Sequence, residues 1–146
     1  MNPATAMKTQ IVADLQSLVP TSLAQVITTD MSRSSLFDQN FSGYPAAIVI
    51  PPLVPEAQYE DTASNIRQYN WTIIVVQLPE NLATTPFETT MDAVFAVFDQ
   101  DFTLGGSAVG GALPAITDVG PIAFSGKTYA TFYLTIKAKA LVATNS

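Results

Sequence analysis

The chain has 146 residues, a length typical of one folded domain, and we expect a single domain over residues 1–146. Its 12% of charged residues is about half the usual fraction of roughly 25%, so little charge is available to solvate a free surface. The absence of Cys and His excludes disulfides, thiol nucleophiles, Cys/His zinc sites and imidazole acid–base chemistry.

The charge distribution narrows the possible partners. Net charge is −6, and residues 68–126 contain six acidic and no basic residues. Tight DNA binding needs a basic stripe, which this pattern does not provide, although DNA could pass an acidic surface without binding. No apolar run reaches the ~18–20 residues that cross a bilayer, and no signal peptide is recognisable at the N-terminus. We therefore expect synthesis in the cytoplasm and no membrane association.

The first third of the chain predicts a helix followed by a long loop. Residues 7–19 carry an apolar stripe at helical spacing that should cover a sheet face. Its members are Met7, Ile11, Leu15 and Leu18. Residues 23–29 could form a short strand or an extended crossing. The polar residues 30–43 predict a loop of a length usually reserved for function or contact.

The middle of the chain predicts the sheet. Residues 46–50 read as a strand ended by prolines, and Pro55 places any strand in 53–59 at an edge. The segments flanking residues 51–56 are expected to pair as a long, irregular hairpin. Residues 69–78 are β-branched and aromatic, and both of their alternating sets are apolar over 73–76. That pattern predicts a central strand covered on both faces.

The last part predicts a second helix and two strands. Thr85, Pro86 and Glu88 form a helix start, and an apolar stripe runs on through Phe98. A Gly-rich loop follows at 105–111, then a strand at 116–124, which Gly120 and Pro121 should interrupt, and an alternating antiparallel strand at 129–142. The order helix-strands-helix-strands predicts an α+β fold, a mostly antiparallel sheet with two helices packed on one face.

Possible catalytic and ligand motifs are incomplete. The Gly-rich loop lacks the Lys-Ser/Thr of a phosphate-binding loop. Asp99 and Asp101 begin like a calcium loop, but Leu104 and Gly110 stand where Gly and Glu are required. A solvated helix end explains these carboxylates, with a weak cation site or a neighbouring subunit as the lesser alternative. We predict no enzyme activity, no catalytic residue, no cofactor and no metal.

Contact with other chains is the function that the composition favours. Aromatic residues and Arg are enriched at interfaces, and where charge is scarce an acidic pair near an Arg can join subunits. The candidate contacts are Phe41, Tyr44, Tyr59, Glu60, Asp61 and Arg67. For Glu60, Asp61 and Arg67 the alternative is surface charge near a strand end. The segments 30–43, 53–59 and 105–111 are the candidate contact surfaces.

Several stretches resemble a known family. They are the N-terminal helix, the sequence Gly-Tyr-Pro-Ala-Ala-Ile-Val-Ile at 43–50, the polar approach 60–69 into the 71–78 strand, and the helix ending in Phe-Asp-Gln-Asp-Phe-Thr-Leu at 98–104. With the long alternating strand, this arrangement resembles the tail terminator and tail-completion proteins of long-tailed bacteriophages and related head–tail joining proteins.

The resemblance implies a structural protein of the virion. It implies a homo-oligomeric ring, commonly a hexamer, at the head-proximal end of the tail tube. Such a ring contacts the tail tube protein and the head connector or neck proteins, and DNA passes through its lumen without specific binding. Another neck, head-side joining or tail-tube subunit is the close alternative. A different class is a small ligand-binding module with a pocket between the 86–101 helix and the sheet, lined by Trp71, Phe95 and Phe98.

Overall fold

This computed structural model describes residues 3–19, 21–28, 43–50, 56–59, 64–79, 87–101, 104, 112–124 and 127–143. Two helices and six strands lie in these ranges, α1 (Pro3–Gln16), β1 (Gln25–Thr28), β2 (Ala46–Ile50), β3 (Glu56–Tyr59), β4 (Ser64–Gln77), α2 (Phe87–Gln100), β5 (Leu113–Phe124) and β6 (Lys127–Ala143).

The six strands form one sheet in the order β1-β2-β4-β6-β5, with β3 paired to β4 beside this path. β1 runs parallel to β2, and the remaining pairs are antiparallel. Both helices pack on one face, because α1 and α2 side chains share one core cluster with the sheet. The predicted α+β class is confirmed, and the parallel β1–β2 pair makes the sheet mixed.

β4 is the central strand that its sequence predicts. One edge pairs with β6 from Ser64↔Ala143 to Gln77↔Ala130. The other edge is shared by two short strands, since β3 pairs with residues 65–68 and β2 with residues 72–76. Ile73, Ile74, Val75 and Val76 are all at most 2% exposed, which confirms that both faces of the strand are covered.

The helix-covered face carries the larger core. Trp71, Ile73 and Val75 of β4 lie there with the α1 stripe and with Val94 and Phe98 of α2. At the start of α2, the Phe87 ring meets the Phe132 ring edge-on at a centroid distance of 5.3 Å. Aromatic pairs of this geometry stabilise a core beyond the area they bury.

The opposite sheet face changes character along its length. Its β1–β2 side is apolar and buried, with Ile27, Ile48, Ile74, Val76 and Tyr129 in a second cluster. Further along β6 the same face carries the exposed Lys137. The predicted alternation of β6 is therefore confirmed for the residues that face the helices, which are mostly buried. The residues on the other face are solvent-exposed only in the second half of the strand.

The predicted hairpin around residues 51–56 and the predicted bounds of the first helix are wrong. Residues 51–56 do not separate the strands of a hairpin: β2 and β3 follow each other along the same edge of β4, and the hairpin is β3–β4. α1 spans 3–16 rather than 7–19, because Leu18 N–H donates to the Leu15 carbonyl at 3.0 Å and Val19 N–H to the Gln16 carbonyl at 3.0 Å, which tightens the end into a turn.

β5 runs unbroken through Gly120 and Pro121, so the predicted interruption of this strand is also wrong. Proline is tolerated there because β5 is the last strand of the sheet order and pairs on one side with β6. Of the two alternatives for residues 23–29, a short strand or an extended crossing, the strand forms as β1. The helix cap at Thr85 and Pro86, the Gly-rich loop and most of the 30–43 loop lie outside the described residues.

Candidate functional site

The six predicted contact residues lie in two regions of the chain. Phe41, Glu60 and Asp61 fall outside the described residues. Tyr59 and Arg67 are backbone-paired in the β3–β4 hairpin, opposite Asn65 and Ala57 respectively. In the sequence, Glu60 and Asp61 fall between these two strands. Four of the six candidates thus belong to residues 59–67, the part of the chain that contains this hairpin.

Tyr44 is the candidate whose side chain the structure describes. Its ring is half-buried and lies 6.4 Å from the Tyr129 ring, inclined at 31°. It packs on the second apolar cluster, on the sheet face away from the helices. Its neighbour Gly43 comes so close to the segment before β1 that a Cβ at this position would lie 2.9 Å from the Ala24 Cβ. Tyr44 therefore covers core as well as offering an aromatic edge.

The outer side of α2 carries a stripe of carboxylates. Glu88, Asp92 and Asp99 are exposed, and their spacing places them on one side of the helix with Ala96. No Lys or Arg occurs anywhere in α2 to neutralise them. The buried residues Thr90, Val94 and Phe98 turn the other side to the core. We call Glu88, Asp92 and Asp99 the acidic stripe.

A pair of lysines lies on the sheet face opposite the helices. Lys137 is exposed and Lys139 half-buried, and they stand two residues apart on β6, between the buried Ile136, Ala138 and Ala140 that point to the helices. Their β4 neighbours are Asn70 and Gln68. We call Lys137 and Lys139 the lysine pair.

The polar character of this sheet face extends beyond the lysine pair. Gln68 Nε2 donates to Asn70 Oδ1 at 3.0 Å, and the Thr117 and Thr135 hydroxyls lie 3.4 Å apart. Thr131 Oγ1 also donates to the Gly120 carbonyl at 2.9 Å. Thr131 is buried, whereas the exposed Thr117 and the half-buried Gln68, Asn70 and Thr135 supply amides and hydroxyls that can hydrogen-bond to a partner surface.

Two carboxyls meet where α1 approaches the end of α2. The Asp14 and Asp101 side chains are hydrogen bonded, and Gln10 Nε2 donates to Asp14 Oδ1 at 3.1 Å. The pKa of Asp14 is raised from 3.8 to about 7, first by burial and then by the hydrogen bond and charge of Asp101, against a lowering by Gln10. The Asp14 carboxyl therefore retains a proton over most of the acidic range and releases it near pH 7.

The pair provides a partner for Asp101, where the sequence favoured a solvated helix end over a cation site or a neighbouring subunit. It could not be found from the sequence, because Asp14 lies 87 positions away on another helix, within a pattern typical of a solvated face.

Described residues line a cavity and an open groove. A cavity of about 190 Å³ is lined by Thr21, Ser22, Leu23, Ala24, Tyr44, Pro45, Thr89 and Thr90. An open apolar groove of about 410 Å³ lies at the start of α2, lined by Pro79, Phe87, Val119, Gly120, Pro121, Thr128 and Ala130. The pocket that the sequence suggested around Trp71 and Phe98 is packed core, because these side chains are 1% and 0% exposed.

No cluster of three or more His, Cys, Asp or Glu side chains that could hold a metal ion occurs within the described ranges. Neither α1 nor α2 has the length and apolar character that a membrane-crossing helix requires. No model of a known protein family matches the chain, and no curated protein matches it either.

Proposed function

We propose that this chain is a non-enzymatic structural subunit of a phage virion, forming a ring that ends the tail tube and joins it to the head connector. Subunits meet head-to-tail, one ring face caps the last layer of tube, and the other receives the head. The observation that carries the proposal is the element order, since helix, strands, helix and strands on one α+β sheet is the arrangement that the resemblance to tail terminators implies.

The low fraction of charged residues and their placement support the same proposal. With 12% charged residues, the surface is poorly suited to remain fully solvated. Among the described charges, three carboxylates lie on the outside of α2 and two lysines on the other face of the sheet. A net charge of −6 lets a ring admit DNA without retaining it. DNA traversal is in this view a passive property of the lumen.

The long β4–β6 ladder supports a role that depends on geometry. Fourteen consecutive residues of β4 pair with β6, from Ser64 to Gln77. Ladder hydrogen bonds and two apolar clusters hold this scaffold, so its flanks can be presented at fixed positions. The β3–β4 hairpin, which carries Tyr59 and Arg67, extends from one end of β4.

A nonsense mutation in a phage that encodes this chain tests the proposal. We expect overlong tail tubes and heads without tails in electron micrographs, because nothing stops tube growth or receives the head. Complementation with the wild-type chain should restore tails of one length. Tails of normal length that fail to attach to heads would instead indicate a head-side joining subunit, and the absence of tubes a tail-tube subunit. Normal virions would contradict the proposal.

The apolar groove favours a second candidate function, the binding of a small apolar ligand. Its lining side chains include Phe87, Pro121 and Val119, and Val119 is 55% exposed. Light scattering after size exclusion separates the two functions. A monodisperse monomer whose melting temperature rises with an apolar probe such as a fatty acid would favour ligand binding. Ring-sized particles without such a response would favour assembly.

A further inference from the structure

We propose that the acidic stripe on α2 of one copy binds the lysine pair on the open sheet face of the next copy. This contact rests on the proposed function, because it supplies the head-to-tail interface of the ring. It commits the lysine-bearing face to one occupant, a second copy of this chain.

The two surfaces match in sign and spacing. Glu88 and Asp92 are one helical turn apart, which is about 6 Å along the axis. Lys137 and Lys139 are two residues apart on a strand, which is about 7 Å. A helix laid along β6 of a neighbour can therefore place each of the first two carboxylates against one ammonium group.

The surfaces also permit close approach. Ala96 lies on the stripe between Asp92 and Asp99, so no bulky side chain separates the helix from a neighbour there. On the sheet side, Asn70 and Gln68 stand directly opposite the two lysines and can hydrogen-bond to a docked helix. No described residue forms an ion pair with either lysine.

The contact must join different copies. The stripe faces outward from the helix layer, while the lysine pair lies on the opposite face of the sheet, so one copy cannot bring its own two surfaces together. An interface between unlike surfaces is heterologous, and it closes into a ring when each contact rotates the next copy by a constant angle.

Nucleic acid is the competing occupant of the lysine pair. Two lysines neutralise about two phosphates, whereas tight DNA binding at physiological salt neutralises many more. The net charge of −6 repels a phosphate backbone at longer range. A carboxylate stripe on a second copy offers the same attraction at a matched spacing, and the observations favour it.

Zero-length crosslinking tests the contact directly. Equal amounts of unlabelled and ¹⁵N-labelled protein are mixed, treated with a carbodiimide that couples carboxylates to lysine amines, digested and analysed by mass spectrometry. We expect mixed-isotope crosslinks that join Glu88 or Asp92 to Lys137 or Lys139. Mixed-isotope crosslinks confined to other residues, or a wild-type chain that stays monomeric at millimolar concentration, would overturn the proposal.

Charge reversal tests its energetics. K137E/K139E and E88K/D92K should each weaken self-association by about tenfold or more in sedimentation velocity, because attraction becomes repulsion. Mixing the two variants should restore it, since each contact between unlike variants joins one acidic and one basic surface. Circular dichroism melting checks that each variant folds. Asp118→Lys, compared with Asp92→Lys, makes the same charge change outside the acidic stripe and should have less effect.

The outcomes separate this contact from the function on which it rests. Both reversed variants assembling on tail tubes as well as the wild type would overturn the contact and leave the proposed function intact. Specific crosslinks in a chain whose loss leaves virions normal would support the contact and overturn the function. Duplex DNA bound by the wild type but not by K137E/K139E, without mixed-isotope crosslinks, would assign the lysine pair to nucleic acid.

Discussion

Replacing Asp14 by Asn should remove a pH-dependent loss of stability. With the pKa of Asp14 raised from 3.8 to about 7, the folded chain keeps a proton that the unfolded chain releases. The pair's contribution is complete below pH 3.8, declines as pH rises through this window, and is lost above about pH 7. The introduced carboxamide cannot ionise, and it can still donate to Asp101 and accept from Gln10.

The magnitude follows from the width of the window. Between pH 5 and pH 7, a conversion of about 1.4 kcal/mol per pH unit gives an upper bound of about 3 kcal/mol. Asp14 is only half-buried, so water screens part of this energy and we expect about 1–2 kcal/mol. The free energy of unfolding of Asp14→Asn, relative to that of the wild type, should therefore rise by about that much when the pH is raised from 5 to 8.

Urea unfolding followed by tryptophan fluorescence measures this gain. The chain has one tryptophan, Trp71, which is 1% exposed and reports on the core. Curves at pH 5 and pH 8 are compared for the wild type, Asp14→Asn and the control Asp118→Asn, which removes an exposed carboxylate on β5. An equal stability difference between wild type and Asp14→Asn at both pH values would refute the reasoning.

Three further predictions concern backbone and contact sites. Gly43→Ala should cost about 1–2 kcal/mol in chemical denaturation, because its Cβ would lie 2.9 Å from the Ala24 Cβ. Leu104 has a φ of 51° and is 1% exposed, so Leu104→Gly and Leu104→Ala should both destabilise, with the Gly variant more stable by about 1 kcal/mol. Arg67→Glu should weaken ring assembly in light scattering while the melting temperature stays unchanged.

Each of these three predictions can be contradicted by a specific result. Gly120→Ala is the matched control for Gly43→Ala, since its Cβ meets nothing within 4 Å, and equal effects of the two would exclude the close approach as the cause. Equal stabilities of the two Leu104 variants would mean that the positive φ stores no strain. Normal rings from Arg67→Glu would count against the β3–β4 hairpin as a contact.

Those parts of the fold whose signal is local could be predicted from the sequence. β4 is recognisable because both of its alternating sets are apolar over Ile73–Val76, and α2 because its stripe has a single period. The pairing of β2 and β3 along one edge of β4 is not, because two short strands separated by prolines resemble a hairpin. The continuity of β5 could not be predicted either, because it depends on the position of the strand at the edge of the sheet. Proline is tolerated there since β5 pairs with β6 alone in the sheet order.

Less of the candidate site than of the fold could be predicted from the sequence. The acidic stripe follows from the spacing of Glu88, Asp92 and Asp99, and the two lysines from the alternation of β6. That they stand on opposite sides of the molecule depends on which sheet face the helices cover, which only tertiary packing decides. The same holds for Asp14 and Asp101, whose partnership exists only after α1 and α2 dock.

The pairing of β4 with β6 sets the order of events during synthesis. β4 emerges from the ribosome with apolar side chains on both faces, and its full-length partner follows only when residues 130–143 have been made. Until then Trp71 and Ile74 have no strand beside them on that edge, and such a segment is prone to aggregate. A stop codon before β6 should therefore give insoluble protein rather than a shortened subunit.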